Sequence, residues 1–121
     1  MKKLTFKKDR FSKNRGDYSR WLLISCEHCN APLVVYQKDG PGALMRLYFD
    51  RIVLPKAIAA QKPSTTPDLR CKTCNRVVGI PTIFKKEKRA VFRLFAGAVT
   101  KRVISVDGIS RFEDKLKSNI K

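Results

Sequence analysis

Cys26-Glu27-His28-Cys29-Asn30-Ala31-Pro32-Leu33 and Leu69-Arg70-Cys71-Lys72-Thr73-Cys74-Asn75-Arg76-Val77-Val78-Gly79 state one pattern twice, and their reading decides the fold. Each has two cysteines separated by two residues, then an asparagine, then an apolar run, Leu33-Val34-Val35 in the first and Val77-Val78 in the second. A Cys-x-x-Cys turn brings two thiolates to one metal ion, and Zn²⁺ closes a structural shell with four soft ligands at about 2.3 Å. Cys26, Cys29, Cys71 and Cys74 supply all four, which predicts one tetrahedral zinc site. The residue after the second cysteine has to adopt a left-handed backbone, which glycine tolerates best and asparagine next best. Asn30 and Asn75 hold that place.

Other uses of the thiols fit less well. Two disulfides require an oxidising compartment, and the lysine-rich N-terminus shows no apolar stretch of the kind a cleavable signal has. A thioredoxin-like pair uses a single Cys-x-x-Cys beside a strand-helix-strand pattern, which is not seen here. The ligands alone leave an iron–sulfur cluster open. His28, inside the first knuckle, reads as a solvent-facing side chain, because four thiols already complete the shell.

With 121 residues the chain has room for one domain with tails, so metal is expected to supply much of the folding energy. The formal charge is +17, from 27 Lys+Arg against 10 Asp+Glu. A four-thiolate zinc centre subtracts about two units and leaves the chain strongly cationic. That surplus implies a polyanionic partner, nucleic acid first and an anionic membrane surface second. No run approaches the roughly 20 apolar residues needed to cross a bilayer, so no membrane insertion is expected, and the reading is a cytoplasmic protein.

Residues 1–20 hold eight bases and two acids without apolar period and read as a flexible basic arm, in which Phe6, Phe11 and Tyr18 are interleaved with charge. Residues 21–106 read as a zinc-binding β domain. Trp21-Leu22-Leu23-Ile24 and Leu33 to Tyr36 are predicted strands, and Asp39-Gly40-Pro41-Gly42 is a predicted hairpin turn. That Gly-Pro-Gly lacks the lysine and hydroxyl of a phosphate loop. Met45, Leu47 and Phe49 alternate with Arg46, Tyr48 and Asp50, giving one core face and one polar face. Residues 55–68, with a short Ala-rich helix at 56–61, read as a mobile surface loop. A hairpin is predicted around Lys86-Glu87-Lys88, and a further strand over 98–106. Over 107–121, Ile109, Phe112, Leu116 and Ile120 recur at helical steps, Ser110-x-x-Glu113 is a candidate capping box, and Lys115, Lys117 and Lys121 suit a helix C-terminus. This predicts a short amphipathic helix whose apolar stripe docks on the sheet.

From about Trp21 to Val103 the order of elements resembles the zinc-binding β-tent superfamily, which includes methionine sulfoxide reductase B and the Yippee and cereblon families. The two knuckles quoted above, the 41-residue interval between them and Gly79 carry the resemblance. A simple zinc ribbon shares the cysteine pattern. The resemblance implies two small antiparallel sheets meeting at an angle with zinc at one end. It does not carry over the reductase activity, since that family's nucleophilic cysteine lies beyond the second knuckle and this chain has no cysteine after Cys74.

The fold class expected is therefore mainly β, a small zinc-stabilised antiparallel fold, β-tent or zinc-ribbon-like, with a short C-terminal helix. An enzyme is not expected, because a closed four-thiolate shell leaves the metal no open position and the acids form no cluster for a second metal. Nucleic-acid binding is the leading expectation. It rests on Lys85, Lys86, Lys88 and Arg89 in the second hairpin, then Arg93, Lys101 and Arg102, with Arg46 and Arg51 joining, for phosphates, and on Tyr48 and Phe95 for stacking on bases. RNA is favoured over DNA because no recognition-helix pattern is present. A ribonucleoprotein is one setting. The alternative is a zinc-stabilised adaptor for an acidic protein.

Overall fold

A computed structural model describes residues 5–16 and 18–112. In chain order these residues form α1 (Arg10–Asn14), β1 (Ser19–Cys26), β2 (Pro32–Asp39), β3 (Arg46–Tyr48), β4 (Ile52–Leu54), β5 (Leu69–Arg70), β6 (Val77–Phe84), β7 (Arg89–Leu94), β8 (Val99–Val103) and α2 (Val106–Ser110). The strands make two four-stranded antiparallel sheets, ordered β4-β2-β1-β8 and β3-β7-β6-β5. The mainly β, antiparallel expectation holds.

Trp21-Leu22-Leu23-Ile24 lacks a period of two because β1 is covered on both faces. Leu22 and Ile24, with Tyr36 and Val34 opposite them on β2, meet Leu47, Val91 and Phe92 of the second sheet in the main core. Trp21, Leu23 and Val35 point the other way, where Leu54 and Ile109 cover them and Phe6, Ile104 and Phe112 pack alongside.

The N-terminal segment departs from the expected free arm. Phe6 stacks on Trp21 with ring centroids 4.2 Å apart. The Lys7 N–H donates to Gln37 Oε1 at 2.8 Å, and Gln37 Nε2 donates back to the Lys7 carbonyl at 2.9 Å. Asp9 caps α1, accepting from the Phe11 and Ser12 amides, while Ser12 Oγ accepts from the Asp9 amide in a capping box. None of these contacts has a sequence period, which is why composition alone reads the segment as solvated.

Two turns also differ. The segment Asp39-Gly40-Pro41-Gly42 closes no hairpin; it carries the chain from the first sheet to the second, since β2 and β3 belong to different sheets. Gly40 has φ +72°, and a Cβ there would lie 2.6 Å from the Arg15 carbonyl oxygen, so the position suits only glycine. The alternation from Met45 to Asp50 breaks because β3 ends at Tyr48 and Phe49–Arg51 turns as a 3-10 helix. Met45 is therefore 62% exposed and Tyr48 is buried, the reverse of the expectation. Over residues 55–68 the expected short helix takes the form of a 3-10 turn at Lys56–Ala60, a second follows at Pro63–Thr65, and Ile58 anchors the first in the main core.

The C-terminal helix begins earlier than expected. Ser105, not Ser110, is its N-cap and accepts from the Gly108 amide, whereas Ser110 lies within α2 and donates to the Asp107 carbonyl. Ile109 docks on the sheet as its stripe predicts. Glu113, Lys115, Leu116, Lys117, Ile120 and Lys121 lie outside the described residues.

Candidate metal centre and basic surfaces

The Sγ atoms of Cys26, Cys29, Cys71 and Cys74 all lie within 4.8 Å of one another. Cys26 and Cys74 are 3.6 Å apart, and Cys29 and Cys71 3.4 Å. These gaps far exceed a disulfide bond of about 2.05 Å and approach the roughly 3.8 Å that tetrahedral geometry sets between sulfurs bonded at about 2.3 Å. The donor set and its spacing thus fit a tetrahedral metal ion and are consistent with zinc. His28 is exposed, as expected.

The two knuckles are built alike. The Cys26 amide donates to the Ala31 carbonyl at 2.8 Å and the Asn30 amide to the Cys26 carbonyl at 2.7 Å; Cys71 with Arg76 and Asn75 with Cys71 repeat both distances. Asn30 has φ 64° and Asn75 φ 66°, the left-handed positions that the sequence assigns them. In each knuckle the first cysteine is buried and the second half-buried. The Ala31 amide favours the Cys29 thiolate, but loss of solvent and the neighbouring thiols of Cys71, Cys74 and Cys26 outweigh it and push that thiol up to about 12. Burial raises Cys71, yet the Cys74 amide and the Cys29 thiol hold it lowered, at about 7. Four clustered thiols resist ionising together, and a divalent cation among them reverses that balance.

No family model, curated protein or solved structure matches the chain.

Of the candidate nucleic-acid contacts, Lys85, Lys86 and Lys88 are exposed in the turn between β6 and β7, and Arg93 is exposed on β7. Arg93 lies opposite Arg46 on β3, and the half-buried Arg46 guanidinium sits 4.1 Å from the centre of the Phe84 ring. Phe95, just beyond β7, is 47% exposed. These residues share the second sheet and its hairpin. Lys101 and Arg102 are exposed but belong to β8, the edge of the first sheet.

Arg51, Arg89 and Tyr48 are corrections. The Arg51 side chain is 1% exposed and pairs with Asp39 at 2.7 Å and Asp9 at 2.6 Å. Arg89 is 5% exposed, pairs with Asp50 at 2.7 Å and Glu87 at 3.1 Å, and lies 3.8 Å from the Tyr48 ring centre and 4.1 Å from that of Phe11. Tyr48 is enclosed by this cluster and accepts from Arg15 at 2.9 Å through its hydroxyl. Arg15 also pairs with Glu87 at 2.9 Å. None of the three corrected side chains presents itself to a surface ligand; they join the two sheets to α1.

The network has an electrostatic consequence. It takes Arg15, Arg51 and Arg89 together with Asp9, Asp39, Asp50 and Glu87, so that of the sequence's 27 bases and ten acids, 24 and six stay outside it. Internal pairing therefore sharpens the cationic imbalance of the rest. Lys38 lies opposite Arg20 across the β1–β2 pair and lines one cavity with Arg15, although no motif marks them. Lys38 was legible in one respect: Val34, Tyr36 and Lys38 continue one strand face at a period of two.

Proposed function

We propose that this chain is a non-catalytic, zinc-stabilised module that binds nucleic acid, RNA in preference to DNA, as a cytoplasmic or ribonucleoprotein component. The observation that carries the reading is the hairpin tip Lys85, Lys86 and Lys88, exposed while the acid that could neutralise it, Glu87, is turned inward onto Arg15 and Arg89, with Arg93 and Phe95 exposed further along the same hairpin toward its other end. Lysines on phosphates with an exposed ring for a base is the chemistry of single-strand recognition. The described α-helices are five residues each, short for a major-groove reader, which favours RNA. Zinc in a closed four-thiolate shell serves structure and offers no position for a reacting water. Two sheets pinned at one end support the β-tent over a simple ribbon.

The test is binding of zinc-loaded protein to matched single-stranded RNA, structured RNA and duplex DNA across a salt series. Affinity should fall steeply with salt, and replacing Lys85, Lys86 and Lys88 by glutamine should reduce the log–log slope by about two to three without changing the unfolding midpoint. Arg89 stays unaltered in this variant because its loss would disturb the fold. Weak binding to every nucleic acid at physiological salt sinks the reading. The adaptor alternative draws on exposed Met45, Ile83 and Phe95, which line one surface depression of about 490 Å³; a protein partner held there should show modest salt sensitivity.

A further inference from the structure

Lys38 lies on the face of β2 that turns toward the second sheet and is 7% exposed. A buried ammonium is normally matched by an acid. Here Nζ donates to the Gly40 carbonyl at 2.8 Å, and no described acid lies within ion-pair distance of it. The adjacent Asp39 is committed elsewhere: its carboxylate accepts from Ser19, Gln37 and Arg51. An ammonium has three N–H donors, so Lys38 has donor capacity that the described protein does not use.

Its surroundings add positive charge. Burial lowers the Lys38 pKa first, and Lys101, Arg20 and Arg15 lower it further, with Asp39 opposing. Arg20 Nε is itself buried without a hydrogen-bond partner among the described residues. Beside Lys38 lies a half-open cavity of about 150 Å³ that Arg15, Arg46 and Tyr48 also line. Of its charges, Arg15 pairs with Glu87 and Asp39 with Arg51, while Lys38 and Arg46 have no acid within ion-pair distance among the described residues. The room suits several waters or one tetrahedral anion.

We infer that this inter-sheet cavity is a seat for a compact oxyanion, a phosphate group held by Lys38 with Arg46 and Arg15 at its rim. The anion supplies further acceptors to Lys38 and an ionic partner to Lys38 and Arg46, through charge-assisted hydrogen bonds. Its wall is preset: the Gly40 amide donates to the Tyr18 carbonyl, and Arg15 packs against Gly40, so the loop that presents the cavity is fixed by the segment following α1. Its lining includes none of Lys85, Lys86 and Lys88, although Arg15 at the rim pairs with Glu87 of that turn, and the inference does not depend on the nucleic-acid reading.

The test is titration of inorganic phosphate into the zinc-loaded full chain at constant ionic strength, balanced with chloride, following the ¹⁵N-lysine ammonium signal of Lys38 and the unfolding midpoint. A saturating response is expected. Affinity should drop about tenfold or more in Lys38→Met and in Arg46→Gln, and should be retained when Lys85, Lys86 and Lys88 are replaced by glutamine. If Lys38→Met does not fold, Arg46→Gln carries the comparison, since Arg46 is only half-buried and belongs to no ion pair among the described residues. A response that never saturates, or one equal in wild type and Arg46→Gln, overturns the proposal. Competition by a short single-stranded RNA assigns the seat to a nucleic-acid phosphate; saturable phosphate binding without competition assigns it to a free phosphate compound. Phosphate binding that survives alongside absent RNA binding separates this inference from the proposed function.

Discussion

At one end of the two sheets four thiols converge, with Cys26 on the last residue of β1 and Cys71 and Cys74 just before β6. At the other end, about 25 Å along strands of eight residues, Arg51 and Arg89 close the same two sheets with Asp9, Asp39, Asp50 and Glu87. The first clasp needs two local turns and one ion. The second draws side chains from α1's cap, the end of β2, a 3-10 turn, a hairpin turn and β7. A metal clasp concentrates its free energy in a few bonds, whereas a distributed ionic clasp offsets large desolvation costs and chiefly fixes how segments meet.

Breaking the metal clasp should have the largest effect. A structural Zn²⁺ in small domains contributes about 10–16 kcal/mol, as much as the whole stability of a typical domain. Chelation, or Cys71→Ser, should therefore abolish cooperative unfolding by circular dichroism. A chelated protein that still melts cooperatively would show that the ionic end and the core suffice.

Next in size is Arg51→Met. It leaves Asp39, whose side chain is 5% exposed, without its guanidinium, and breaking a buried pair in this way costs about 3–5 kcal/mol. Denaturant titration of the metal-loaded variant measures it. A loss below about 1 kcal/mol would place the ionic end among weakly contributing surface pairs.

The smallest effect belongs to Asp9. Its hydrogen bond from Arg51 is the main cause that lowers its carboxyl to about 2, burial opposes this, and the Ser12 and Phe11 amides add to it. A depressed carboxylate stabilises fully above its ordinary pKa near 4 and loses that contribution as pH falls through about 2. Because Asp9 is partly exposed, Asp9→Asn should cost about 1 kcal/mol. That difference should be equal at about pH 8 and about pH 6, while protons already compete with metal for the thiolates over the same range. Denaturation of both proteins at the two pH values, with metal affinity from chelator competition, shows whether the clasps respond separately. A difference that shrinks toward about pH 6 would contradict the assigned window.

What the sequence alone determined lies where geometry is local. The Cys-x-x-Cys pairs, the left-handed Asn30 and Asn75, the apolar run of β1 and the hairpin between β6 and β7 each depend on neighbours a few residues apart, and each is found in place. The apolar face of Ile109 also reached the sheet, because helical spacing encodes which side chains share a stripe. What only the tertiary structure decided concerns charge and connection. Arg51 and Arg89 read as surface cations until Asp39, Asp50 and Asp9, 12 to 42 residues away, are brought beside them. Lys38 reads as one more solvated base until the second sheet closes over it, and Asp39-Gly40-Pro41-Gly42 carries the same turn signals whether it folds a strand back or crosses between sheets. Spacing along a chain encodes short-range geometry, but whether a charge is solvated or paired depends on which distant segments exclude water from it, and no local pattern records that.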